Sequence, residues 1–161
     1  MPVTSVDKDT ENLTMTITTD LDAGVDRVWQ MWADPRLLEK WWGPPTYPAT
    51  FYEHGFEPGG VAKYYMTSPE GQKFGGIWDM TAIEEPSRIE FEDAFADDDG
   101  NINPKMPRTK IRVDITGLEG SGKTRMTITS NFASAEAMEQ LISMGMDEGM
   151  KLAMGQIDDL L

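Results

Sequence analysis

The sequence contains no cysteine, a single histidine and no long apolar run. Without cysteine, a disulfide framework, a thiol nucleophile and a cysteine-ligated metal site are all excluded. No stretch approaches the roughly 18 consecutive apolar residues that predict a transmembrane helix, and no apolar run follows a basic N-terminal stretch. We therefore expect a cytoplasmic protein that uses no metal or other cofactor.

Basic residues are scarce, because 14 lysines and arginines stand against 28 aspartates and glutamates, for a formal net charge of −14. Such a surface repels phosphate groups, so we expect neither nucleic acid nor an anionic membrane as a partner. A chain of 161 residues forms one domain and buries roughly 68–70% of its unfolded surface. That size allows a real core and an internal cavity.

Four of the five tryptophans lie within one short segment: Trp29, Trp32, Trp41 and Trp42. The apolar residues around the first two recur at helical spacing, which predicts an amphipathic helix. Asp34 and Pro35 then predict an N-cap and the first residue of a second short helix, with Trp41 on its apolar face. Two short helices with this much aromatic surface must close over a sheet or the mouth of a cavity.

Alternation of apolar and polar residues predicts an antiparallel sheet with one solvated face. The alternating segments lie near residues 13–18, 49–56, 60–67, 73–83, 88–95, 109–116 and 124–132. The remaining C-terminal part predicts one long helix of about 40 Å, with Ser134 as its N-cap and Leu160 near its end.

The run WQMWADPRLLEKWWGP, residues 29–44, resembles the activator of heat-shock-protein-90 ATPase type within the START-like (SRPBCC) superfamily. The resemblance continues in family order through residues 57–60, 86–91, 132–136 and 144–150.

The resemblance implies one α+β domain over residues 1–161 with the helix-grip (START/Bet v-like) fold. In that fold a curved antiparallel sheet of about six to seven strands surrounds a long C-terminal helix, two short helices follow the first strand, and an apolar cavity lies between sheet and helix. We expect residues 1–10 to be a flexible tail.

Three positions depart from the family pattern. Relatives often carry tryptophan where this chain has Met146 and Met150, which predicts a softer and larger cavity. They also often carry arginine where this chain has Glu57, so a family site that needs that arginine is not expected here.

The resulting prediction is that a small hydrophobic or amphipathic molecule binds in the cavity. The candidate cavity residues are Trp32, His54, Tyr64, Trp78, Asp93, Met146 and Met150. One alternative is a co-chaperone-like module that stimulates the ATPase of a partner chaperone. Another is a cyclase, dehydratase or hydrolase that uses the same cavity, which would need two polar groups that converge there with shifted pKa values. No catalytic residue and no oligomeric state is assigned.

Several of these candidates have two interpretations. By strand parity His54 shares an inward face with Tyr52 and is either a pocket group or a histidine bonded to the backbone. Asp93 shares a face with core residues, so it either orients a ligand or bends back to water at a strand end. Gly145 and Gly149, four residues apart in the predicted helix, indicate that either the sheet or a ligand passes close by.

Two motifs invite functions that their context argues against. Residues 117–124 match the phosphate-loop pattern G-x-x-x-x-G-K-[ST], but an alternating strand follows Lys123 where a helix is required, so we predict a hairpin turn. The acidic run 97–101 fails the register of a calcium loop, because Phe95 falls at its first ligand position, and it predicts a solvated loop instead.

Overall fold

The computed structural model describes residues 3–161. One antiparallel sheet runs through it in the strand order β1-β2-β8-β7-β6-β5-β4-β3. Its strands are β1 Val3–Asp9, β2 Thr14–Leu21, β3 Ala49–His54, β4 Val61–Thr67, β5 Lys73–Glu84, β6 Arg88–Phe95, β7 Thr109–Leu118 and β8 Lys123–Phe132. The helices are α1 Val25–Ala33, α2 Pro35–Trp41, α3 Ala135–Ser143 and α4 Met146–Met154, followed by a 3-10 turn at Ile157–Leu160. The curved sheet with helices packed on it is the predicted helix-grip fold.

The first strand differs from the flexible tail expected over residues 1–10. Residues 3–9 pair with β2, and Val6 lies opposite Ile17 and packs against the core. Lys8 forms an ion pair of 2.6 Å with Asp147 on α4. An edge strand pairs through its backbone, so its polar side chains can face solvent. The polar composition of residues 3–9 therefore did not indicate a flexible tail. Residues 1 and 2 lie outside the described part of the chain.

The two tryptophan-bearing helices form where they were predicted. The Asp34 carboxylate accepts a hydrogen bond of 2.9 Å from the backbone N–H of Arg36, and Pro35 occupies the first turn of α2. The indole N–H of Trp41 donates to the Met31 carbonyl at 2.9 Å, so the one polar atom of this fully buried ring is satisfied. This bond joins the two helices.

Beneath these helices lies a cluster of large aromatic side chains that we call the aromatic core: Trp32, Trp41, Phe51, Trp78 and Phe91. Each is 2% exposed or less. Trp32 meets Trp41 edge-on at 4.9 Å between ring centroids, and Trp78 stacks on Phe91 at 4.2 Å. Such aromatic contacts add to the burial energy of each ring.

The C-terminal helix is broken, and the prediction of one long helix was wrong on this point. α3 begins as expected, because the Ser134 hydroxyl accepts from the Ala137 N–H at 3.0 Å. Gly145 then takes a left-handed conformation with φ of 90°, which ends one helix and begins the next. Glycine adopts positive φ without steric cost, so it is favoured where a helix ends.

The hairpin predicted for residues 117–124 is confirmed. β7 and β8 pair antiparallel up to Leu118 opposite Lys123, and Gly120 and Gly122 take positive φ in the turn. The acidic run 97–101 lies in the connection between β6 and β7, as expected. None of the helices within residues 3–161 is long and apolar enough to cross a membrane.

Candidate ligand-binding cavity

A cavity of about 400 Å³ lies between strands β4 to β6 and the broken C-terminal helix. Its wall is formed by Trp42, Pro44, Tyr47, Tyr64, Met66, Phe74, Gly75, Asp93, Ala94, Phe95, Thr109, Leu141, Met144, Gly145, Met146, Gly149 and Met150. Most of these residues are apolar, and Asp93 is the only one that carries a charge. Mostly apolar pockets of roughly 300–1,000 Å³ with few polar groups are typical of small-molecule sites.

The rim of the cavity is apolar as well. Phe74 and Met144 both line the cavity while remaining 47% and 55% exposed. Phe74 also packs against Tyr47, with 6.2 Å between the ring centroids. Large apolar side chains at a rim give an apolar ligand a continuous apolar path from solvent.

The helix side of the wall contains both predicted methionines. Met146 and Met150 lie on α4 and are partly buried, with Gly149 between them on the same wall. A Cβ atom added to Gly149 would meet no atom within 4 Å. The sheet therefore does not pass against the Cβ position of this glycine, and the space there is open.

The sheet side of the wall contains a polar pair. The Tyr64 hydroxyl on β4 donates to a carboxylate oxygen of Asp93 on β6, with 3.3 Å between the oxygens. Gly76 on β5 lies opposite Tyr64 in the register, and a Cβ at that position would overlap the phenol ring. The missing side chain of Gly76 is therefore what allows the Tyr64 ring to lie across β5 and reach Asp93.

Burial changes the protonation of both members of this pair. It raises the pKa of Asp93 from 3.8 to about 7, and the hydrogen bond from Tyr64 lowers that pKa only in part. Burial also raises the pKa of Tyr64 well above its usual value near 10, and the negative charge of Asp93 adds to the increase. Asp93 therefore exchanges its proton near neutral pH, whereas Tyr64 keeps its own.

Trp42 brings an unpaired donor to the wall. The residue is 6% exposed, and its indole N–H has no hydrogen-bond partner within residues 3–161. The same is true of Trp78, which lies behind the wall in the aromatic core. Both N–H groups lie close enough to the Tyr64 hydroxyl to oppose the rise in its pKa, but neither meets hydrogen-bond geometry with it.

His54 does not reach the cavity. Its Nε2 atom lies 3.1 Å from the Trp32 carbonyl oxygen, and its ring stacks on Phe56 with 5.3 Å between centroids. Burial lowers the pKa of His54 below its usual value, and the bond to the Trp32 carbonyl opposes this shift. The structure therefore supports the interpretation of His54 as a histidine bonded to the backbone.

The strand that carries His54 also contains a bulge that parity did not predict. Phe51 pairs with Tyr64 and Glu53 with Lys63, so Tyr52 is an extra residue in β3. Tyr52 points outward and is 55% exposed, which corrects the prediction that it faces inward. One extra residue exchanges the two faces of a strand beyond the bulge.

Of the seven predicted cavity residues, four line the wall: Tyr64, Asp93, Met146 and Met150. Trp32 and Trp78 are fully buried in the aromatic core, and His54 bonds to the Trp32 backbone carbonyl and does not line the wall. Trp42, Phe74 and Met144 also line the wall and were not predicted from the sequence. Trp42 had a detectable signal, because a residue next to Trp41 on a helix points about 100° away from it and so lies on a different face.

The fold and its cavity define a helix-grip protein of the α+β class. Within that class, the chain belongs to the family described as "Activator of Hsp90 ATPase homolog 1-like protein", whose model matches residues 22–161. The resemblance drawn from residues 29–44 is thereby confirmed. No curated protein matches the chain.

Solved structures of bacterial proteins are similar along almost the whole chain. One from Mycobacterium smegmatis is 47% identical with a TM-score of 0.91, over 99% of this chain and 97% of that one. One from Arthrobacter aurescens is 51% identical with a TM-score of 0.92, over 97% of this chain and 90% of that one. One from Staphylococcus epidermidis is 27% identical with a TM-score of 0.84, over 98% and 93%.

Proposed function

We propose that the protein binds a small hydrophobic or amphipathic molecule in the cavity between the sheet and the broken C-terminal helix. The observation that carries this proposal is the cavity of about 400 Å³ itself, with its apolar wall and apolar rim. Protein interiors are normally packed as densely as organic crystals, so an open apolar space of this size is unusual unless something occupies it.

The flexible side chains of α4 support the same proposal. Met146 and Met150 adapt their shape to irregular apolar surfaces, and Gly149 leaves room between them. Methionine is favoured where a site accepts ligands of varied shape. This composition favours an adaptable pocket over one matched to a single rigid molecule.

Filling the cavity tests the proposal. The double substitution Met146→Trp and Met150→Trp should weaken binding of Nile red, a neutral apolar dye, at least about tenfold, or 1.4 kcal/mol. Fluorescence titration measures the affinity, and circular dichroism checks the fold. Leu152→Trp is the matched control, because Leu152 lies on the same helix but is 55% exposed and outside the wall. Equal dye affinity in the double variant and the wild type would place the binding elsewhere.

The family name supports a second candidate, a co-chaperone-like module that stimulates a partner ATPase. The exposed apolar pair at the rim, Phe74 and Met144, is the surface that such a partner would contact. This candidate predicts that Phe74→Ser abolishes stimulation of a chaperone ATPase from the same organism. A wild-type protein that binds no apolar probe but stimulates the ATPase would favour it over ligand binding.

The enzyme alternative gains one supporting observation. Asp93 and Tyr64 are two polar groups that meet in the cavity, and the pKa of each is raised. Groups with shifted pKa values in a cleft are candidates for acid–base chemistry. Chemical change of a bound probe over time, followed by mass spectrometry and lost in Asp93→Asn, would turn the binding site into an active site.

A further inference from the structure

Asp93 is the charged residue of the cavity wall, and no basic side chain within residues 3–161 pairs with it. Its neighbour Glu92 points to the other face of β6, where it forms an ion pair with Arg108. The pKa of Asp93 shows the same isolation, because burial and the Tyr64 hydroxyl shift it and no cation contributes. The carboxyl group of Asp93 thus lies on an apolar wall without a cationic partner.

One oxygen of this carboxyl group is available to a molecule in the cavity. The first oxygen accepts from the Tyr64 hydroxyl at 3.3 Å. The second has no hydrogen-bond partner within the described part of the chain, and Asp93 is only half-buried where it lines the cavity. The indole nitrogens of Trp42 and Trp78, by contrast, are closed off. A ligand atom can therefore reach the second oxygen of Asp93 but neither indole nitrogen.

Aromatic rings line the wall near this oxygen. Phe95 lies two residues after Asp93 on β6 and thus on the same face of the strand. Tyr64 bonds to Asp93, and Trp42 lies 6.3 Å from Tyr64 between ring centroids. Aromatic π-systems attract cations, and that of tryptophan does so most strongly. The surroundings of the free oxygen therefore favour a positive charge.

The charge of the whole protein acts in the same direction. With a formal net charge of −14, the protein attracts cations from solution and repels anions. A carboxylate that leaves water without a partner costs free energy, and a cation with an N–H group would offset this cost through a charge-assisted hydrogen bond. A carboxylate ligand would instead bring two like charges together.

The proton of Asp93 competes with such a cation. Protonated Asp93 is neutral and can donate a hydrogen bond, whereas ionised Asp93 only accepts and attracts positive charge. With a pKa of about 7, the ionised fraction rises about tenfold between pH 6 and pH 8. A cation that binds against Asp93 therefore displaces the proton, and its affinity increases with pH. A neutral ligand gains no affinity from this ionisation.

We infer that the ligand is an amphipathic amine whose ammonium group donates to the second oxygen of Asp93 and whose apolar part lies along the methionines of α4. This inference rests on the proposed function and adds the chemical class of the ligand. An ammonium group suits the isolated carboxyl group, the aromatic rings and the net charge of the protein at once.

Three ligands with the same eight-carbon chain test the inference: octylammonium, octanol and octanoate. Isothermal titration calorimetry at pH 8 should show octylammonium binding at least about tenfold more tightly than octanol, and octanoate binding most weakly. Alkylammonium groups stay protonated at this pH, as the lysine side chain does up to about pH 10. Equal affinities for octylammonium and octanol, or tighter binding of octanol, would overturn the inference.

The pH dependence of binding tests the contact with Asp93. From pH 6 to pH 8 the affinity for octylammonium should rise by about tenfold, and that for octanol should not rise. The other titratable residues on the wall are Tyr64 and Tyr47, and β5, β7, α3 and α4 contribute none. An affinity for octylammonium that is equal at both pH values would mean that the ammonium group does not bind to Asp93.

Matched variants separate this contact from the net charge. Asp93→Asn removes the charge and keeps an acceptor for Tyr64, so it should abolish both the preference for octylammonium and its pH dependence. Asp98→Asn, in the exposed acidic loop, removes the same charge from the protein and should leave both unchanged. Circular dichroism checks the fold of each variant. A preference that survives Asp93→Asn, or that Asp98→Asn lowers equally, would overturn the inference.

Failure of this inference is distinguishable from failure of the proposed function. If Nile red binds in the cavity but the protein does not prefer octylammonium to octanol, the cavity binds apolar molecules and the assigned ligand class is wrong. If neither Nile red nor any of the three eight-carbon ligands binds, the proposed function itself fails.

Discussion

The aromatic core and the cavity lie on the same sheet but are built in opposite ways. The aromatic core holds five large rings with almost no exposure, and the only polar hydrogen that Trp41 carries is bonded to a backbone carbonyl. The cavity has two flexible methionines and a glycine with open space beside it. Dense packing at one place and open space at the other separate the part that holds the fold from the part available for a ligand.

The contrast also appears in residues that are adjacent in the chain. Trp41 and Trp42 are neighbours at the end of α2, yet the first is fully buried in the core and the second faces the cavity. The same residue type therefore packs in the core at one position and forms part of the cavity wall at the next.

Removing a ring from the aromatic core should have the largest effect. Trp41→Ala should lower the free energy of unfolding by about 3–5 kcal/mol, because it leaves a cavity and breaks the bond to Met31. Urea denaturation followed by fluorescence measures this change. Leu152→Ala, at an exposed site on α4, should stay within about 0.5 kcal/mol of the wild type. A urea midpoint of Trp41→Ala equal to that of the wild type would show that the aromatic core is not the part that stabilises the fold.

Removing the half-buried carboxyl group of Asp93 from the cavity should have an effect that depends on pH. The pKa of Asp93 is about 7 in the folded protein and 3.8 as its ordinary value. Asp93 therefore holds its proton more tightly in the folded state than in the unfolded state. The stability that this difference contributes is fully present below about pH 4 and is lost as the pH rises through 7. Above pH 7, Asp93→Asn should be more stable than the wild type by up to about 4 kcal/mol, and by less in so far as the cavity lets solvent reach Asp93.

The measurement compares denaturation of both proteins from pH 4 to pH 8. The other titratable groups on the wall are Tyr64 and Tyr47, and both are unchanged in the variant. Asp98→Asn, in the exposed acidic loop, controls for the loss of one negative charge. A difference between wild type and Asp93→Asn that stays constant across this range would contradict the raised pKa of Asp93.

The two glycines of the broken helix should respond in opposite directions, each by about 1 kcal/mol. Gly145→Ala forces alanine into a conformation with φ of 90° and should destabilise the protein. Gly149 lies inside α4, and a Cβ added there would meet open space. Because alanine has a higher helix propensity than glycine, Gly149→Ala should stabilise the protein. Thermal denaturation of the pair measures both changes. Destabilisation by both substitutions would mean that the space beside Gly149 is filled.

The features that the sequence predicted are those encoded by local signals. The N-caps at Asp34 and Ser134 and the hairpin before Lys123 each depend on residues within one turn of chain, and all three are confirmed. The family resemblance supplied the overall fold, which no local signal specifies.

The features that were missed depend on geometry that single residues do not encode. Glycine fits inside a helix or at its end, so Gly145 alone did not reveal the break. The extra residue at Tyr52 is visible only in the pairing of β3 with β4. The partner of Asp93 is Tyr64, 29 residues away, and their contact depends on the missing side chain of Gly76.

The order of strands in the sheet has a consequence for how fast the protein folds. From β3 to β8, neighbours in sequence are neighbours in space, whereas β2 must find β8 across the chain, as in the pair Asp20 and Arg125, 105 residues apart. Closing a long loop costs entropy before the contact forms, so we expect β2 to join a nearly complete sheet late. In stopped-flow experiments Ile17→Val should then speed unfolding while the refolding rate stays nearly unchanged, and Val113→Ala in β7 should slow refolding. Equal slowing of refolding by both substitutions would instead mean that the distant strand pairs in the transition state.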